Sequence, residues 1–123
     1  MHGNPVGWFE IYVQEMERAK AFYQAVFEVE LQKLASGDLE MWAFPADMSR
    51  YGAGGALVKM AGCPSGFAGS LVYFSSADCA VEEARAAAHG GTIQRPKMSI
   101  GQYGFISLVV DPEGNLIGLH SMS

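Results

Sequence analysis

Hydrophobic and polar positions change period within the first 27 residues. Over 8–13, Phe9, Ile11 and Val13 fall on one side of an alternating stretch, and Trp8, Glu10 and Tyr12 on the other. From Met16 the spacing turns helical: Ala19, Phe22, Tyr23, Val26 and Phe27 share a stripe, while Glu17, Arg18, Lys20 and Gln24 point away. A strand feeding a helix that covers the strand's apolar side is therefore predicted, with the helix at about Met16–Phe27. The same unit returns at Leu71–Phe74 and Asp78–His89, displaced by 63 residues (71 minus 8). Asp78 suits an N-cap, Glu82 and Glu83 the helix start, Arg85 and His89 its end, and Gly90-Gly91 its stop, so the second helix is placed at about Cys79–His89.

Between these units the alternation is weaker. Val29–Leu34 and Leu39–Phe44 flank the turn Ser36-Gly37-Asp38 as a hairpin, Pro45 opens an exposed loop running past Met48 to Gly52, and 54–59 is a further strand. Gly- and Pro-containing 61–69 reads as a linker. Thr92–Gln94 reads as a short strand ended by Pro96, followed by a loop through Gly104. Phe105–Val110 is a central strand, 111–115 a turn and Leu116–Ser121 the last strand. The whole chain, 1–123, is thus expected to be one α+β domain of two β-α-β-β-β modules, at about 6–60 and 70–123. Each should have a curved, mainly antiparallel sheet with its helix on the convex face.

Composition narrows the function classes. The net charge is −5, and the eight Lys and Arg are dispersed, so a nucleic-acid surface is not expected. No apolar run reaches membrane-spanning length, and the start of the chain, with Gly3, Asn4 and Pro5, has no secretory pattern; a cytoplasmic location away from membranes is the expectation. Cys63 and Cys79 are far apart and without a histidine cluster, and are read as reduced thiols. His2, His89 and His120 are scattered. Gly52-Ala53-Gly54-Gly55 lacks the Lys-Ser/Thr of a phosphate loop, and no Gly-x-Ser-x-Gly occurs.

Ala19-Lys20-Ala21-Phe22-Tyr23, Gly90-Gly91 and Asp111-Pro112-Glu113-Gly114-Asn115, set in two such modules, resemble the vicinal oxygen chelate superfamily of glyoxalase I, bleomycin-resistance proteins and extradiol dioxygenases. The resemblance spans nearly the whole chain. It implies a ligand on the concave sheet face, commonly within a dimer whose modules face each other. It also implies metal ligands at the positions of Trp8, Leu71, Gly118 and, by the 63-residue offset, Gly55. None of these four side chains can hold a divalent ion, so no metal and no other cofactor is expected.

Strand parity gathers other residues on that face: Glu10 and Tyr12 with Trp8, Tyr73 with Leu71, and His120 with Gly118. Glu10 reads either as a rim carboxylate in water or as a general base in an apolar setting. His120 reads as a solvated imidazole or, with Glu10, as a catalytic group. Trp8, Tyr12 and Tyr73 offer binding walls. Glu40 and Trp42 share one face of their strand and are candidates for the same pocket, the opposite parity being open. The loop with Lys97 and Tyr103 has the composition of a cover over an anionic small molecule, or of a plain connection. Three functions follow: a metal-independent small-molecule binder of the bleomycin-resistance kind, an isomerase or lyase using Glu10 as base, or a metal-dependent lyase or dioxygenase with relocated ligands. A homodimer is expected, and the sequence does not separate module pairing within a chain from exchange between chains. The ligand's identity, and whether a reaction is catalysed, stay open.

Overall fold

The computed structural model describes residues 4–47 and 49–123. His2, Gly3 and Met48 lie outside the described residues. The order is β1 (Val6–Tyr12), α1 (Met16–Phe27), β2 (Gln32–Leu34), β3 (Glu40–Ala43), β4 (Gly54–Lys59), β5 (Ser70–Ser75), α2 (Cys79–Ala88), β6 (Thr92–Ser99), a 3-10 turn at Gly101–Tyr103, β7 (Phe105–Val110) and β8 (Leu116–Ser121). The fold is α+β, with two β-α-β-β-β segments in succession. Two compact units carry it among the described residues, one within 8–70 and one of 4–7 with 71–123.

In the unit of 8–70 the strands run in the order β2-β3-β4-β1. β1 and β4 are parallel, with Glu10 beside Ala56 and Ile11 beside Leu57, and the other two ladders are antiparallel. A parallel pair needs a crossover, and α1 lies within it. Val13, Met16, Leu31 and Leu57 form the buried core, with Ile11, Ala19, Tyr23, Trp42 and Phe44 packed around them. Burying a side chain such as Leu57 contributes roughly 1.5–3 kcal/mol. α1 has no side-chain cap at Glu15 and ends on Glu28, whose φ of 54° is left-handed. The chain then drops into the core at Leu31, whose amide is held by Gln24 Oε1 at 3.0 Å. This descent is why the strand expected from Val29 begins only at Gln32.

In the other unit the order is β5-β8-β7-β6, with β5 and β8 parallel and the remaining pairs antiparallel. Cys79, Val109 and Leu119 form its core under α2, with Phe74, Ala86, Phe105 and Ile117. Asp78 caps α2 by accepting from the Ala80 amide at 3.0 Å, and Gly91 N–H closes its end on Ala86 O at 2.8 Å. Pro96 does not stop β6. The ladder to β7 shifts register around Arg95 and continues to Ser99, so the expected strand of three residues has eight. Pro96 sits in this irregular stretch, and the following amide, Lys97 N–H, is received by Glu83 of α2 at 2.6 Å.

Candidate functional site

Register fixes which side chains share a face. Ile11, Leu57 and Trp42 lie side by side and pack on the α1 core, so Trp8, Glu10 and Tyr12 belong to the face away from α1. The β4 neighbours there are small: Gly54 beside Trp8 and Ala56 beside Glu10. A Cβ on Gly54 would come within 3.3 Å of the Trp8 ring, so glycine lets the indole lie across β4. Glu10 is bracketed by its neighbours: Tyr12 Oη donates to Oε1 at 2.6 Å and Trp8 Nε1 to Oε2 at 3.3 Å. Its pKa is raised above the ordinary 4.5, because burial disfavours the anion more than the Tyr12 and Trp8 hydrogen bonds favour it. A carboxyl thus stands partly dehydrated between two aromatic donors.

In the second unit Tyr73 lies beside Gly118, and a Cβ on Gly118 would overlap the Tyr73 ring. His120, two residues on, points to the same side. Its Nε2 stands 2.6 Å from the carbonyl oxygen of Tyr103, tying the 3-10 turn to β8. With Nε2–H donating, His120 acts as a fastener for the segment that carries Tyr103.

Three expected site residues are elsewhere. Trp42, opposite Leu57, lies on the α1 side; Lys20 Nζ sits 3.3 Å from the centre of its ring, and its Nε1 donates to Glu40 Oε2 at 3.2 Å. Glu40 and Trp42 therefore take the opposite parity and do not join Glu10. Lys97 is committed to the α2 side: Nζ donates to Asp78 Oδ1 at 2.8 Å and to Ser123 O at 3.0 Å, and stands over the Phe105 ring. The pair holds Asp78 below, and Lys97 above, its usual pKa, the mutual hydrogen bond being the largest cause in each. A cation so engaged is a strut of the α2 cap.

Sequence reasoning missed the polar joint behind Lys97. Ser107, fully buried in the apolar run Phe105–Val110, has its hydroxyl 2.7 Å from Glu83 Oε1 and 3.1 Å from Arg95 O. A serine amid five apolar neighbours in a central strand was the available signal, since a buried hydroxyl requires a partner.

The metal positions also need one revision. Gly118 pairs with Tyr73, the counterpart of Glu10, and Glu10 pairs with Ala56; the offset is 62 residues here (118 minus 56). Gly55 faces α1 beneath the Phe9 ring, so Ala56 replaces it as the fourth position. In one unit Trp8 and Ala56, and in the other Leu71 and Gly118, bring no lone pair suited to a divalent ion. The superfamily's metal does not fit these residues. Among the described residues, no three or more His, Cys, Asp or Glu are grouped to hold one elsewhere.

Two concavities stand apart from Glu10, one of about 400 Å³ at the β2–β3 turn and one of about 320 Å³ beside the start of α1.

Residues 6–119 match the family model described as Glyoxalase/Bleomycin resistance protein/Dioxygenase superfamily. The chain belongs to that superfamily. Among solved structures it is similar to methylmalonyl-CoA epimerase from Mycobacterium tuberculosis, at 14% identity and a TM-score of 0.70 over 97% of this chain and 88% of that one. The Streptomyces coelicolor methylmalonyl-CoA epimerase in complex with 2-nitronate-propionyl-CoA is similar at 14% and 0.68, over 96% and 94%. A superfamily member from Vibrio splendidus 12B01 is similar at 20% and 0.65, over 94% and 97%. At these identities the superfamily's fold is what is shared. No curated protein matches the sequence.

Proposed function

We propose that this superfamily member is a metal-independent small-molecule-binding protein whose recognition surface is the sheet face with Trp8, Glu10 and Tyr12. The observation that carries the reading is the bracketed Glu10: a half-buried carboxyl held by one phenol and one indole, beside the small residues Gly54 and Ala56. Aromatic walls with one oriented polar group are the usual make-up of a small-molecule site. The exposed apolar side chains Phe22, Val26 and Phe27 of α1 add support for a homodimer as the working form. A thermal-shift screen of a broad small-molecule library tests the reading, run on wild type and Glu10→Gln in parallel. Ligands that raise the wild-type melting temperature and lose much of that effect in the variant are expected. Hits indifferent to Glu10 would move the binding site elsewhere.

A second reading is favoured by the direction of the Glu10 pKa. A carboxyl raised toward neutrality is a stronger base than a solvated one, which suits abstraction of a proton next to a carbonyl in an isomerase or lyase. The neighbours named as epimerases are compatible with this chemistry by fold alone. Proton exchange from a bound carbonyl compound in D₂O, abolished by Glu10→Gln, distinguishes turnover from binding.

A further inference from the structure

The face that presents Glu10 has a one-sided charge. Of the five basic residues in the unit of 8–70, Lys33 lies opposite Trp42 and Lys59 opposite Glu40, both on the α1 side, and Lys20 covers Trp42 there. Arg18 lies on α1 beside Phe22, and Arg50 pairs with Asp47 at 3.2 Å. Among the described residues, no cation of this unit is ion-paired or hydrogen-bonded to Glu10, and the three placed by strand register or ring contact lie on the α1 side. An anionic ligand would meet the Glu10 carboxylate there, and among the described residues no cation is paired with it.

We propose that the ligand of this face carries an organic cation, an ammonium, amidinium or guanidinium, seated on the Glu10 carboxylate between the Trp8 and Tyr12 rings. The proposal rests on the reading that this face is the binding surface. Three properties support it. A carboxylate offers about four acceptor directions, and the donors to Glu10 among the described residues, Tyr12 and Trp8, take one on each oxygen, which leaves each oxygen a further direction for a multiple donor. The indole and phenol faces add attraction for a cation that is itself partly dehydrated. The chain's net charge of −5 draws cations toward it and repels anions. Binding would also reverse the penalty that burial imposes on the Glu10 anion, so uptake of the cation at mildly acid pH should release a proton.

The two tryptophans supply the test. Trp8 Nε1–H donates to Glu10 on one face, and Trp42 Nε1–H to Glu40 on the other. In a ¹H–¹⁵N spectrum the two indole signals, assigned with Trp42→Phe, report the two faces separately. Phenethylammonium, the neutral 2-phenylethanol and the anionic phenylacetate are matched probes. The ammonium is expected to shift the Trp8 signal saturably and leave that of Trp42 in place. Glu10→Gln should weaken the ammonium by about tenfold or more and the alcohol far less. Phenylacetate or the alcohol binding as well as the ammonium would overturn the cation and leave the binding face standing. Failure of all three at millimolar concentration to move the Trp8 signal would overturn both.

Discussion

Glu10 concentrates the chemistry of the chain, and its titration has a definite sign. Burial raises its folded-state pKa above 4.5, so the folded protein holds this proton more tightly than the unfolded chain. The associated stability is fully present below the unfolded value and is lost as pH rises through the folded one. Relative to Glu10→Gln, wild type should therefore gain in melting temperature as pH falls from neutral to about 4. A difference that stays flat, or runs the other way, would mean that the carboxyl is not dehydrated. Gly118 gives a steric counterpart: Gly118→Ala drives a methyl into the Tyr73 ring and should cost about 1–3 kcal/mol by chemical denaturation. Parity read from the sequence placed Trp8, Glu10 and Tyr12 together, because a strand leaves only two choices of face and Ile11 and Val13 fix one of them. It did not settle Glu40 and Trp42, since the indole serves either a ligand wall or, as found, a core edge under Lys20.

At the scale of elements, helix ends and glycine turns were legible where the local chemistry is self-contained. Asp78 and Gly91 cap α2 with bonds that span only a few residues. β6 was misread because what keeps it in the sheet past Pro96 is remote in sequence: Glu83 receives the Lys97 amide and the Ser107 hydroxyl. Glu83→Ala leaves that amide unpaired and should destabilise by about 1–3 kcal/mol, with Glu83→Gln recovering part of the loss. Hydrogen exchange at Lys97 N–H should speed up in the alanine variant; unchanged protection would remove Glu83 from this role. The extension of β6 also displaces Lys97 from the loop that composition suggested, and joins it to Asp78.

For the whole molecule, the internal duplication was the most informative feature of the sequence, and its two copies emerge as successive β-α-β-β-β segments. Their one-residue slip between 63 and 62 was invisible without strand register. Among the described residues, no helix is long and apolar enough to cross a membrane. The proposed homodimer predicts a light-scattering mass of about twice 13.2 kDa at micromolar concentration, and a mass of one chain that persists on concentration would refute it. The function proposed for the molecule returns to one partly dry carboxyl offered to a ligand. The most direct measurement is the ¹³C NMR titration of the Glu10 side-chain carboxyl, assigned with Glu10→Gln. A midpoint clearly above 4.5 is expected. A midpoint at or below that value would contradict the proposed site.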